Sequence, residues 1–154
     1  MHVDLGCAGK FRGDVNIDIN RYPDAPGMLV CNLGFERIPL DDNVADKVSA
    51  HCFIEHVPFY IYLSKEGEKY SPMKHLFAEV ARILKPGGIF LIEVPQTPSF
   101  PVWMDPGHMS FWTKHTAPYL QGQQVWDGKA MGELILTQNK ELDLVFLEII
   151  YTKK

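Results

Sequence analysis

The stretch SPMKHLFAEVARILKPGGIFLIEV, residues 71–94, decides the fold. Ser71 is a favoured helix N-cap and Pro72 a favoured first helical residue. From there Met73, Leu76, Phe77, Val80, Ala81 and Leu84 recur at helical spacing and make one continuous apolar stripe. Lys85-Pro86-Gly87-Gly88 stops the helix. Ile89–Val94 is nearly all apolar and reads as a strand buried on both faces, as in a parallel sheet covered by helices. Working outward, Met1–Leu5, Val15–Ile19, Met28–Leu33 and Ala45–Ala50 are further strand candidates. Near the end, ELILTQNKELDLVFLEIIY (133–151) splits at Asn139-Lys140 into two β-rich arms, which predicts an antiparallel hairpin closing the sheet. Strands, a crossover helix and a terminal hairpin imply a three-layer α/β fold with a mostly parallel sheet, built as one domain over 1–154. Pro95–Pro106 and Ala117–Lys129, rich in Pro, Gly and Gln, read as loops over the carboxyl edge of the sheet, where such sheets bind ligands.

Composition narrows the function classes. The chain has 46% hydrophobic and 22% charged residues, the balance of an ordinary globular domain with a real core. No apolar run approaches the roughly 20 residues of a membrane span, and the opening residues lack the pattern of a signal peptide. Three cysteines, an odd number without CxxC spacing, point to a reduced, cytoplasmic protein. The net charge is −4 and the longest basic run is Lys153-Lys154, which argues against a phosphate-tracking nucleic-acid surface.

Three short stretches carry chemistry. In VDLGCAGKF (3–11) a strand ends in Asp4-x-Gly6-x-x-Gly9, where glycines let the backbone turn and approach a ligand. A carboxylate ahead of such a turn repels pyrophosphate and attracts a cationic amino group, and the second glycine of a dinucleotide fingerprint is replaced by Ala8. In NIDI (16–19), Asp18 can accept both hydroxyls of a ribose, or serve as an ordinary strand-end turn residue. HCFIEHV (51–57) packs two histidines, a cysteine and a glutamate together. Zinc-binding histidine pairs on a helix are spaced i, i+4, whereas His51 and His56 are five apart, so no metal is expected there. Cys52 beside His51 is no nucleophilic pair either, because adjacent strand residues point to opposite faces.

Taken together, these stretches resemble the class I S-adenosylmethionine-dependent methyltransferases. VDLGCAG is similar to the family's glycine-rich opening, with Ala8 where glycine is usual, and NIDI to its acidic second-strand motif. IPLDDNVADKVSAHCFIEHV resembles the strand-four stretch that ends in Glu-His, and EVARILKPGGIFLIEVP the segment E-x-x-R-x-L-K-P-G-G. DPGHMSFWT resembles a D-P-x-H element of the same group, and the matches run in family order from residue 3 to about 113. The resemblance implies a Rossmann-like methyltransferase fold with S-adenosyl-L-methionine as cofactor. It implies that Asp4, Gly6, Cys7 and Ala8 wrap the methionine part, with His51 bordering it, that Asp18 holds the ribose, and that Asn32 and Leu33 meet the adenine.

For an acceptor hydroxyl, a histidine suits the removal of its proton. His108 is the first candidate, on the loop after the fifth strand, and His56 the second, as a substrate contact; Trp103, Phe111 and Trp112 are candidates to wall the acceptor pocket or to pack the core. No Asp/Asn-Pro-Pro-Tyr/Phe motif is present, which disfavours methylation of nucleic-acid bases, so the expected acceptor is a small molecule or glycan. A non-catalytic binding or scaffold module is the alternative. Only Lys10–Asp14 separates Gly9 from Val15, too few for the usual crossover helix. That predicts one sheet face without helical cover, which a second copy in a homodimer would provide.

Overall fold

The computed structural model describes residues 1–122, 133–143 and 145–154. Seven strands form one sheet: β1 (His2–Leu5), β2 (Val15–Asp18), β3 (Met28–Val30), β4 (Ala45–His51), β7 (Leu84–Pro95), β8 (Leu134–Glu141) and β9 (Phe146–Lys153). Their order is β3-β2-β1-β4-β7-β9-β8. The first five run parallel, and β9 is antiparallel to both neighbours. A separate two-stranded ribbon, β5 (Ile61–Tyr62) with β6 (Lys69–Tyr70), precedes the helix α1 (Pro72–Ile83) and was not foreseen in the sequence.

The helix begins where its capping chemistry says it should. Ser71 is the N-cap, its Oγ accepting from the Lys74 N–H at 3.2 Å while donating to the Phe59 carbonyl at 2.7 Å. A cap of this kind stabilises a helix by about 1 kcal/mol. Met73, Leu76, Phe77, Val80, Ala81 and Ile83 are buried. They pack on the sheet face that presents Val48, Ala50, Phe90, Ile92, Ile149 and Tyr151, with Phe77 edge-on to Phe90 and Tyr151. Leu84, the last residue of the predicted stripe, is the helix C-cap and the first residue of β7.

The opposite face is polar where β1, β2 and β4 meet. Asp4, Asn16 and Ser49 sit side by side in register and are fully buried. No helix lies between β1 and β2; the loop 10–14 crosses instead. His2 N–H donates to Asp14 at 2.8 Å, and Arg12 stands 3.7 Å from the Asp4 carboxylate. Asn16 ties two loops down, exchanging hydrogen bonds with Gly13 and donating to the Pro26 carbonyl at 2.8 Å. Farther along the same face, Leu91, Glu93 and Ile150 are half-buried.

Three expectations shift. The terminal hairpin turns at 142–145 rather than at Asn139-Lys140, because Asp143 accepts from the Val145 and Phe146 N–H groups and closes the turn there. Pro95–Pro106 contains the short helix α2 (Phe100–Met104), started by Ser99 and Pro101. Thr116–Gly122 forms α3, and the remainder of the predicted loop Ala117–Lys129, from 123 on, lies outside the described residues. Among the described residues no helix is long and apolar enough to cross a membrane.

Candidate active site

The carboxyl edge of the sheet opens into a cavity of about 440 Å³ walled by residues of the turns after β1, β2, β3 and β4. From the first turn come Gly6 and Ala8, from the second Asp18, Ile19 and Asn20, from the third Cys31, Asn32, Leu33 and Phe35. The segment after β4 adds Cys52, Phe53, His56, Val57 and Pro58.

The first turn is held open by backbone geometry. Gly6 (φ +63°) donates from its N–H to the Ile17 carbonyl at 2.8 Å, and Ala8 follows with φ +43°. Both lie in the left-handed region, which costs a residue with a Cβ roughly 1–2 kcal/mol. At Ala8 the conformation is bought by Asp18, whose Oδ2 accepts the Ala8 N–H at 3.0 Å. The other Asp18 oxygen accepts from the Asn20 N–H at 2.9 Å. Asp18 therefore both lines the cavity and fixes the loop beside it.

Of the residues expected around the cofactor, Gly6, Ala8, Asp18, Asn32 and Leu33 share this cavity wall. Asp4, Cys7 and His51 do not. Asp4 is fully buried behind the turn, its Oδ1 accepting from Ser49 Oγ at 2.8 Å, and Ser49 Oγ is 2.8 Å from His2 Nε2. Cys7 is buried, and His51 points across the sheet to Glu93, 3.6 Å away. β1 ends at Leu5, and the left-handed turn at Gly6 sends the Cys7 side chain into the interior rather than into the cavity.

Beyond β4, two segments far apart in sequence are bolted together. Residues Ile54–His56 make a single 3-10 turn. The Glu55 carbonyl accepts from the N–H groups of Met109 (2.7 Å) and Ser110 (2.9 Å). Ser110 Oγ donates to the Ile54 carbonyl at 3.1 Å and accepts from Trp112 Nε1 at 3.0 Å. His56 Nδ1 lies 3.1 Å from the Gly107 carbonyl and His108 Nδ1 lies 2.8 Å from the Val102 carbonyl. A carbonyl only accepts, so Nδ1 is the protonated nitrogen of both neutral imidazoles, which leaves Nε2 to carry the lone pair in that form.

The result is a cluster in which ligand-type atoms of Glu55, His56 and His108 lie within 4.8 Å of one another. The two imidazoles meet edge-on at 4.8 Å between centroids, and His108 Nε2 is 3.9 Å from Glu55 Oε1. Burial pushes the Glu55 carboxyl up to about 7, against the opposing pull of a backbone hydrogen bond and of His108. His56 is exposed and lines the cavity, whereas the His108 side chain is only 8% exposed and does not.

This reverses the roles expected of the two histidines: His56 is the one that meets the cavity and His108 stands behind it. Trp112 is likewise no pocket wall; it is fully buried against Phe59. Trp103 is exposed, stacks on Phe111 at 5.2 Å, and lies outside the cavity wall. Glu55 was overlooked because its neighbourhood depends on residue 108. The only signal was that Glu-His and Asp-Pro-x-His occur in one chain.

A family model described as a methyltransferase domain matches residues 16–92, half of the chain. Among solved structures, an S-adenosylmethionine-dependent methyltransferase from Methanosarcina mazei is similar at 19% identity, with 99% of this chain and 91% of that one covered and a TM-score of 0.59. A chain from the Haloferax volcanii complex between the Trm112 methyltransferase activator and a methyltransferase gives 18% identity, 99% and 81% coverage and a TM-score of 0.61. The Burkholderia thailandensis 1,6-didemethyltoxoflavin-N1-methyltransferase, solved with 1,6-didemethyltoxoflavin and S-adenosylhomocysteine, gives 14%, 99% and 71%, and 0.60. At these identities the likeness is one of fold. No curated protein matches the chain. A sheet in this order, a glycine turn braced by a second-strand aspartate, and a domain model spanning half the sequence lead to one conclusion: the chain belongs to the class I S-adenosylmethionine-dependent methyltransferase family.

Proposed function

We propose that the protein methylates a small-molecule or glycan acceptor, with S-adenosylmethionine as methyl donor. The observation that carries this reading is that one cavity has both the Gly6–Ala8–Asp18 turn and His56 in its wall.

The residues present suit the cofactor. Asp18 gives Oδ2 to the Ala8 N–H and Oδ1 to Asn20, yet a carboxylate offers about four acceptor sites, so capacity is left for ribose hydroxyls. The Asn32 side-chain carbonyl can accept from the adenine amino group, with Ile19, Leu33 and Phe35 as apolar wall. When bound, the cofactor supplies a methyl group made electrophilic by its sulfonium.

On the acceptor side His56 is the group that reaches the substrate, and Glu55 and His108 hold it in place. Alignment of the acceptor against the cofactor then supplies much of the acceleration. The exposed Trp103–Phe111 stack, flanking the 105–110 segment, offers a platform of the kind on which sugar rings pack. Three unpaired cysteines accord with a cytoplasmic setting.

Calorimetric titration with S-adenosylmethionine and S-adenosylhomocysteine tests the reading. The native chain is expected to bind both, and Asp18→Ala to bind at least about tenfold more weakly, since a hydrogen bond to a charged group is worth roughly 1.5–3 kcal/mol. No binding by the native chain sinks the reading in favour of a scaffold module. Binding of both, followed by methyl transfer in an acceptor screen read by mass, completes it.

A further inference from the structure

We propose that Glu55, His56 and His108 form a binding site for a divalent transition-metal cation, with Zn²⁺ or Co²⁺ as the chemistry it fits. The sequence alone argued against a metal in HCFIEHV, and His51 indeed stands apart, facing Glu93. The third ligand comes from the 105–110 segment instead, which the fold brings onto the 3-10 turn.

Three independent features point to a cation. First, one carboxylate and two imidazoles place their donor atoms within 4.8 Å of one another. Two histidines with one glutamate is a recurrent zinc set that leaves a position open. Second, the Glu55 side chain is only 3% exposed and its Oε2 has no hydrogen-bond partner. A buried carboxylate oxygen without a partner is costly, and neither an arginine nor a lysine forms an ion pair with it among the described residues. Third, each imidazole donates Nδ1–H to a backbone carbonyl, Gly107 for His56 and Val102 for His108. That is the outer-shell bond which orients a metal-binding histidine and presents the Nε2 lone pair.

The donor set also selects the ion. Imidazole nitrogen with a single carboxylate suits zinc and its first-row neighbours, whereas Ca²⁺ and Mg²⁺ require mostly oxygen ligands. An ion held at about 2.0–2.1 Å by each donor draws them to roughly 3.4 Å from one another. Glu55 and His108 are locked in the interior, so the exposed His56, together with the Gly107 carbonyl to which it is bonded, is the part of the site that closes the remaining distance. Because His56 lies in the cavity wall, the open coordination position falls on the cavity side.

The inference rests on the methyltransferase reading only for its purpose. An acceptor hydroxyl taken as the fourth ligand becomes more acidic and releases its proton to solvent, so His56 then serves as a ligand rather than as the proton acceptor.

The test is a Co²⁺ titration of chelator-stripped protein, without cofactor, followed by visible absorption. The expected result is one equivalent bound, with the intense bands of four- or five-coordinate cobalt, displaced by Zn²⁺. His56→Ala, on the surface and harmless to folding, is expected to weaken binding about a hundredfold. His108→Gln should also weaken it while circular dichroism stays native. His115→Ala, an exposed histidine outside both the cluster and the cavity wall, should leave it unchanged. Absence of binding, or binding that survives His56→Ala, overturns the proposal. A chain that binds S-adenosylhomocysteine but not cobalt loses only this inference, and the reverse result loses only the methyltransferase reading.

Discussion

The Phe53 ring occupies the space that a side chain at Gly6 would need: a Cβ built there would be 2.7 Å from Phe53 Cβ and nearer still to the ring. Gly6 also sits at φ +63°. Both constraints act in the wall of the cavity, which Gly6 and Phe53 line together.

Gly6→Ala is therefore expected to cost on the order of 1–3 kcal/mol, from strain plus the clash. In a chain of this length that lowers the melting temperature by roughly 2–4 °C per kcal/mol. Phe53→Ala in the same background should restore part of the loss, and a double-mutant cycle by thermal unfolding measures that part. Additive effects would show that the ring and Gly6 are not coupled.

Asn16 stands in for the helix that the first crossover lacks. Its fully buried amide holds both Gly13 and the Pro26 carbonyl. Asn16→Ala removes three hydrogen bonds and leaves backbone groups unpaired, so a loss of roughly 2–4 kcal/mol is expected. The midpoint of urea unfolding reports it, and amide exchange should quicken in the loops around 13 and 26 rather than in α1.

Arg82 clamps α1 to the segment 38–42. Its guanidinium reaches both Glu79 oxygens, the Ile38 and Leu40 carbonyls and Asp42. Burial raises the Glu79 pKa, but the bonds from Arg82 and from the Ile38 N–H outweigh it and hold the carboxyl below its ordinary value. A group whose pKa is depressed on folding stabilises above its unfolded pKa and loses that contribution as pH falls through the folded one. Native stability should thus fall on acidification below about pH 4.5, the ordinary glutamate range. Glu79→Gln should flatten part of that fall, and Arg82→Met should lower stability across the whole range. Urea titrations from pH 3 to 7 compare the three; parallel curves for native and Glu79→Gln would remove Glu79 from the account.

Trp112 belongs to the core and to the bolt between the two site segments, through Ser110. Ser110→Ala should cost about 1–3 kcal/mol by leaving the buried indole N–H without its acceptor. Trp112→Phe should lower the melting temperature while leaving acceptor KM unchanged, whereas Trp103→Ala should do the opposite if the exposed stack holds the acceptor. A KM shift for Trp112→Phe at native stability would return that residue to the pocket.

The sequence by itself determined the elements. Ser71, Pro72 and the spacing from Met73 to Leu84 set the start of α1 to the residue and its end to within one, because caps and periodicity are local. The glycine turn and the strand-end aspartate were each legible from their own short stretches, but that Asp18 braces the turn through the Ala8 N–H was not. Local pattern also misled. It placed the hairpin turn at Asn139, although Asp143 makes the hydrogen bonds that close it, and it took residues 100–104 as loop because a five-residue helix leaves almost no period to read. What only the tertiary structure decided is which side chains face one another. Alternation along β4 says that His51 lies on a side, not which side holds the cavity. The positions of His56 and His108 follow from backbone bonds between segments more than fifty residues apart, such as those from the Met109 and Ser110 N–H groups to the Glu55 carbonyl. Those bonds pair main-chain groups, so they leave no mark on residue type, and the orphaned oxygen of Glu55 emerges only once they have formed.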